Sequence, residues 1–400
     1  MLEDGEVKIV TGSTISLLKA DGTKGSEDRI YIEAFDPVEV VRTGEKVLLA
    51  DGRIELVAQT VHSDRVECVV RSGGLLRSRS GIAVPESRLY LPCVTDKDKE
   101  DLQWGLENDV DFIALSFVGN ASDVASLKKL ISAAGKSTPV VSKVERAVSL
   151  DNLAGIVELS DAVMVARGDL GLEIPLERVP SAQRSIIEVA NFSGVPVITA
   201  TQMLMSMVNE IRPTRAEVSD VTTAVRDGTD AVMLSDETAI GKYPVESVQV
   251  LSKILLEAER EVNFERLRPR SKGSDRERVT DAVCYAAVNA ADKIGAAAIV
   301  ACTNSGYTAR LMAKYRPTQP LFGISPSKRS LLKMVLCWGV IPVHNELEDK
   351  ATHEEEVSRA LALLRNNYGL KPGARVVITA GLGTKLSGST TLMEIREIPR

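Results

Sequence analysis

Apolar and polar positions alternate with a period of two through the first 86 residues. "VKIVTG", "TISLLKA", "RIYIEAF", "EKVLLADG", "RIELVAQTV" and "DRVECVVRSG" each place aliphatic residues on one side of an extended segment, the pattern of half-buried strands. Asp51-Gly52, between two of these runs, predicts a hairpin turn. Residues 1–86 are expected to form a small all-β unit that gives way to the Gly/Pro/Ser-rich passage "SRSGIAVPESRLYLP".

From 87 to 265 the rhythm changes. Strand candidates "DFIALSFV", "PVVSKVE", "DAVMVARGDL", "PVITATQM" and "DAVMLSDE" alternate with amphipathic stretches such as "ASDVASLKKLISAAG" and "RAEVSDVTTAVRDG". Strands apolar on both faces, separated by helices, predict a parallel sheet covered by helices. The repeat fits a (β/α)8-type barrel. Five strand candidates instead of the eight of a closed barrel leave two open sheet edges. Residues 266–400, after the charged stretch "RLRPRSKGSDRERV", alternate again through "AAAIVACT", "PLFGIS", "VIPVH", "ARVVITAG" and "LMEIREI". They predict a separate open α/β sheet. The expected class is thus α/β: a barrel-like unit of five strands between a small all-β unit and a C-terminal open α/β domain.

Composition narrows the partners. A net charge of −6 and 4% aromatic residues argue against nucleic acid or an anionic membrane as the main partner. Five cysteines (Cys68, Cys93, Cys284, Cys302, Cys337) without CxxC spacing suit reduced thiols. His62, His344 and His353 are too dispersed to suggest a histidine metal site. The acidic start "MLEDGEVK" does not read as a signal peptide, and no apolar run reaches membrane-spanning length. A cytoplasmic location is expected, which speaks against an adhesive reading of Arg167-Gly168-Asp169.

The chemistry gathers at the strand ends. In a parallel barrel the loops after the strands converge on one face, and each apolar run stops on polar residues there: Ser116-Phe117, Lys143 and Glu145, Arg167-Gly168-Asp169, Thr201-Gln202, Asp236-Glu237. Glu145 and Asp169, on adjacent strands, offer two hard oxygen ligands for Mg²⁺ or Mn²⁺. The competing reading is that each carboxylate pairs with Arg146 or Arg167. Lys143 lies two residues before Glu145 on the same strand face and can stabilise charge on a phosphoryl group or an enolate; otherwise it snorkels. Gly168 allows close backbone approach, and its N–H can hold an anion; otherwise it is a turn glycine. Thr201 can orient a proton-relaying water, or is simply a strand residue. In the last domain Thr303, Ser305, Gly306 and Thr308 stand at a predicted helix N-terminus, either an anion site or a helix cap. A second Gly/hydroxyl loop, 379–390, would complete a phosphate pocket.

The blocks "MVARGDLG", "ATQML", "RPTRAE" and "GKYPVE", in this order, closely resemble pyruvate kinase, as do "LPCVTDKDKEDL", "DFIALSFV" and "TNSGYTARLMAKYRP". The resemblance covers essentially the whole chain. It implies a (β/α)8-type barrel, here N-terminally incomplete, with an inserted small β-barrel lid and a C-terminal regulatory α/β domain, and transfer of phosphoryl from phosphoenolpyruvate to ADP, giving pyruvate and ATP. It implies Lys143 at the transferring phosphoryl group, Glu145 and Asp169 as ligands of Mg²⁺ or Mn²⁺, and the amides of Gly168 and Asp169 at the substrate carboxylate. Thr201 falls near the carbon that gains a proton, and Ser116 and Phe117 line the same mouth. Residues 303–308 resemble a loop for a phosphorylated effector, and a homotetramer is implied. K⁺ is implied too, but its ligands belong to barrel strands without counterparts in this chain. "ADGTKGSEDR" only echoes a stretch from that part of the family. Gly119 stands where Arg commonly follows "SFV", and Asp236 where Gly commonly precedes Glu-Thr-Ala. Two other expectations remain open: a non-catalytic regulatory or assembly partner of a full-length paralogue, and a metal-dependent pyruvate-enolate aldolase or lyase.

Overall fold

The computed structural model describes residues 2, 5–85, 93–262, 275–345, 352–381 and 390–400. Its sheets draw their strands from three successive stretches of chain. The first holds β1 (Glu6–Ile9), β2 (Thr14–Lys19), β3 (Arg29–Ile32), β4 (Lys46–Leu49), β5 (Ile54–Val61), β6 (Arg65–Ser72), β7 (Gly74–Arg77) and β8 (Ile82–Ala83). They form a β1–β7 pair and a six-stranded sheet in the order β3-β2-β6-β5-β4-β8. Alternate residues Ile15, Leu17, Ile54, Leu56, Val66 and Cys68 are wholly buried, so the period of two becomes one core. The β4–β5 hairpin turns through Ala50, Asp51 and Gly52, all with positive φ (50, 56 and 77°).

The second stretch holds β9 (Ile113–Leu115), β10 (Val140–Val144), β11 (Ala162–Ala166), β12 (Val197–Ala200) and β13 (Ala231–Val232). All neighbours are parallel, in the order β13-β12-β11-β10-β9. Every residue of β11 and β12 is buried, as expected of strands covered on both faces. Covering helices include Asp96–Glu107, Ala121–Ala133 and Arg215–Asp227, each opened by a reciprocal capping box (Thr95/Asp98, Asn120/Asp123, Thr214/Glu217). Two strands are far shorter than their apolar runs. β9 stops where Phe117 takes φ +55°, and β13 covers only Ala231–Val232 of "DAVMLSDE". Among the described residues β9 and β13 are the sheet's outer edges. Beside β9 lies a cavity of about 1210 Å³, walled by Phe35, Leu48 and Ile82 of the lid and by Leu102, Ile113 and Glu145 of the barrel.

The third stretch holds β14 (Ala298–Cys302), β15 (Leu321–Ser325), β16 (Val340–His344), β17 (Arg375–Ala380) and β18 (Leu392–Glu397), in the order β16-β15-β14-β17-β18. Only β18 is antiparallel to its neighbour. Two apolar clusters pack on this sheet, one around Ile299, Ala309 and Met312, the other around Val300, Ile324 and Leu364. Most of the second Gly/hydroxyl loop, residues 382–389, lies outside the described residues, as do parts of both expected linkers.

One cation ties this domain to the foot of the barrel. Arg316, 1% exposed, donates to Asp230 Oδ1 (2.9 Å), Asn191 Oδ1 (3.0 Å) and the carbonyls of Gly228 (2.6 Å) and Ala313 (2.8 Å). Its guanidinium carbon lies 5.5 Å from the centre of the Trp338 ring. Asp230 also accepts from the N–H groups of Val197 (3.0 Å) and Trp338 (3.1 Å). All five cysteines are free thiols. Among the described residues, no helix is long and apolar enough to cross a membrane.

Candidate active site

The strand ends of the parallel sheet carry backbone that the interior does not. Phe117 (φ +55°), Thr201 (φ +68°) and Gln202 (φ +53°) all take the left-handed conformation. For a β-branched residue such as Thr201 that is an uncommon, strained state, and strained residues gather where the surroundings over-determine them.

The turn at Phe117 aims its N–H at the end of β10, where it donates to Glu145 Oε1 at 2.6 Å. Glu145 is completely buried. Its other oxygen, Oε2, faces the Lys143 ammonium 3.1 Å away in an ion pair and has no other partner among the described residues. The same ammonium donates to Ser116 Oγ at 3.1 Å. Lys143, Ser116 and Glu145 therefore form one cluster across β9 and β10. Burial pushes the Glu145 carboxyl above its ordinary value, Lys143 and the Phe117 N–H pull it back, and the negative charge of Asp169 raises it further. A carboxylate kept dry with one oxygen unsatisfied is costly, and suits a bound cation.

Asp169 lies in the first turn of helix Arg167–Glu173, which begins directly after β11. The run expected to be strand up to residue 170 thus ends at Ala166, and "RGD" turns into helix. Asp169 lines the same cavity as Glu145, Ser116 and Phe117. Of the pairs considered for these acids, Arg167 pairs instead with Asp220 (2.6 Å), and Glu145 pairs with Lys143. Among the described residues no cluster of three or more His, Cys, Asp or Glu could hold a metal alone. Two carboxylates suit Mg²⁺ or Mn²⁺, which leave their other positions to water and substrate oxygens. Glu145 Oε2, buried with no partner but the Lys143 ammonium, fits that group.

The Gly168 N–H, expected to face an anion, instead donates to Thr201 Oγ1 at 2.8 Å. The Thr201 hydroxyl donates to the Ala200 carbonyl at 2.6 Å. Nearby, Glu237 is buried and takes the N–H groups of Leu204 and Ser235, both at 2.9 Å. It therefore holds backbone in place, while Asp236 opens the short helix Asp236–Ala239. Sequence reasoning missed the Arg167–Asp220 pair, whose members stand 53 residues apart. No spacing rule joins them; the nearest signal is a cation at the tip of an apolar strand, which needs a partner.

In the C-terminal domain, β14 leads through Thr303–Gly306 into helix Tyr307–Ala313. Gly306 has φ +81°, and its N–H donates to Thr303 Oγ1 at 3.0 Å. Thr308 is buried, its hydroxyl 2.6 Å from that of Thr390. Ser305 stands in the same loop, half-buried.

Comparison with known proteins gives one result at both ends of the chain. Residues 1–248 match the family described as pyruvate kinase, barrel domain, and residues 281–396 match pyruvate kinase, alpha/beta domain. A pyruvate kinase of Clostridium acetobutylicum is 36% identical over 98% of this chain and 83% of its own length. One from Agrobacterium vitis is 38% identical over 100% of this chain and 82% of its own. Pyruvate kinase 2 of a Synechocystis species is 44% identical over 90% of this chain, which spans 60% of that protein.

Proposed function

Because the chain belongs to the pyruvate kinase family, we propose that its barrel mouth transfers phosphoryl from phosphoenolpyruvate to ADP, giving pyruvate and ATP. The observation that carries this reading is the pairing of a buried, half-satisfied Glu145 with a Lys143 ammonium 3.1 Å away, in a cavity that Asp169 also lines. The bond from phosphorus to the enol oxygen breaks as one to a terminal ADP oxygen forms, and the pyruvate enolate left behind takes a proton at its methylene carbon.

Glu145 and Asp169 are the residues that would hold Mg²⁺ or Mn²⁺, which supplies Lewis-acid polarisation of phosphoryl and carboxylate oxygens when bound. Lys143, already oriented by Ser116, brings a fixed positive charge to oxygens on which charge develops. The Asp169 N–H, in a first helical turn with no intrahelical acceptor, is offered to the substrate carboxylate, with Gly168 beside it. The Thr201 hydroxyl holds the water that carries the proton. For the K⁺ implied by the family we assign no ligands among the described residues. Thr303, Ser305, Gly306 and Thr308 form the proposed seat for an effector phosphate, and a homotetramer in the cytoplasm is the proposed working form. The aldolase and the non-catalytic partner gain no support from the family matches.

The test is a coupled assay with phosphoenolpyruvate, ADP, Mg²⁺ and K⁺. Lys143→Met should lower kcat by about 10²–10³-fold, as loss of one charge-stabilising donor does. Equal pyruvate formation by wild type and variant would refute the reading.

A further inference from the structure

The strained backbone at Thr201 is held by a group to which the reaction assigns no part. The Arg167 side chain is 11% exposed and reaches the end of β12. Its Nη2 donates to the Thr201 carbonyl at 2.8 Å, its Nε to the Ala200 carbonyl at 3.3 Å, and its Nη1 to both Asp220 carboxylate oxygens at 2.7 and 2.6 Å. Asp220 projects from helix Arg215–Asp227, so the guanidinium is anchored from outside the sheet. One planar, rigid fork thus grips both carbonyls that flank the φ +68° turn. From the other side the next residue of the same helix, Gly168, donates its N–H to Thr201 Oγ1 at 2.8 Å. The hydroxyl and the carbonyl of Thr201 are therefore both fixed by consecutive residues of one turn.

We propose that Arg167, anchored by Asp220, is the positioning residue that holds Thr201 in its left-handed conformation and so fixes where its hydroxyl stands for the proton exchange. This rests on the role given to Thr201 above. Lysine cannot replace arginine here: its single ammonium cannot span two carbonyls and a carboxylate in a fixed plane.

The experiment isolates the proton step from phosphoryl transfer. Pyruvate is incubated with the full chain, Mg²⁺, K⁺ and inorganic phosphate in D₂O, and deuterium uptake at the methyl group is followed by proton NMR. One C–H bond breaks and one C–D bond forms, with no co-reactant consumed. Thr201→Ala should slow the exchange. Arg167→Lys should slow it by about 10²-fold, the scale of an ångström misplacement. The double variant should be no slower than Thr201→Ala alone, a non-additivity that a merely structural arginine would not produce. Should Arg167→Lys fail to fold, Asp220→Asn carries the test, because Asp220 is 39% exposed; it should slow exchange in the wild-type background and not in Thr201→Ala. A slow Thr201→Ala beside an Arg167→Lys (or Asp220→Asn) that exchanges at the wild-type rate overturns the proposal, as do penalties that multiply. A wild-type rate in Thr201→Ala removes the role of Thr201, and the proposal with it.

Discussion

Replacing Arg316 by methionine tests what joins the C-terminal domain to the barrel. The substitution keeps bulk and removes the charge. Asp230, whose side chain is 5% exposed, would keep the N–H groups of Val197 and Trp338 but lose its one counter-ion among the described residues, the guanidinium at 2.9 Å. The Ala313 carbonyl and Asn191 Oδ1 would each lose the same donor, while the Gly228 carbonyl would still receive Asn191 Nδ2 at 2.9 Å. Removing one partner of a buried ion pair costs roughly 3–5 kcal/mol. The two surviving donors to Asp230 place the loss near the lower end, about 3 kcal/mol, or more than a hundredfold in the equilibrium. Urea unfolding followed by tryptophan emission reads this directly. Of the two tryptophans, Trp104 is 65% exposed, whereas Trp338 stacks over the guanidinium. The Trp338 transition should move to lower urea and separate from the transition of the barrel. A shift worth less than about 1 kcal/mol, the value of a surface pair, would refute the reasoning.

Two further outcomes follow from the same geometry. Burial raises the Asp161 carboxyl, but Lys128 at 2.8 Å and the Val140 N–H at 3.0 Å outweigh it and hold the group below its ordinary 3.8. Its ionised form is therefore stabilising above that value, and the contribution is lost as pH falls through the lower folded value. Asp161→Asn should destabilise the protein at pH 7 and converge on wild type as pH drops past 3.8; a gap constant with pH in chemical denaturation would contradict this. Gly306→Ala forces a side chain onto φ +81° and sets its Cβ 2.9 Å from Met334 Cγ, a cost of about 1–3 kcal/mol; an unchanged melting temperature would show that the loop does not need that backbone.

The parts of the site that were legible in sequence were those set by short periods. Lys143 and Glu145 share a face because they are two residues apart, and the apolar runs announce that the strands exist and in what order. What escaped depends on contacts between distant residues. Phe117 meets Glu145 across 28 residues and Arg316 meets Asp230 across 86. The lengths of β9 and β13 escaped for a related reason. Their apolar runs continue, but the left-handed turn at Phe117 breaks one ladder, and hydrogen bonds to Glu237 capture the backbone beyond the other. The contact of the Gly168 amide was not legible because its acceptor, the Thr201 hydroxyl, stands just past the end of a neighbouring strand.

β12 is four residues long, about 13 Å. Its first N–H, from Val197, ends on Asp230, which Arg316 also grips, and the residue after its last is Thr201. Arg316 in turn follows shortly after helix Tyr307–Ala313, which starts at the 303–308 loop. The 303–308 loop and Thr201 are thus joined by one run of helix, ion pair and strand that passes through Arg316 and Asp230. Linkage then obliges reciprocity: if an anion seated in the loop tightens the hold on pyruvate by some factor, pyruvate tightens the loop's hold on that anion by the same factor.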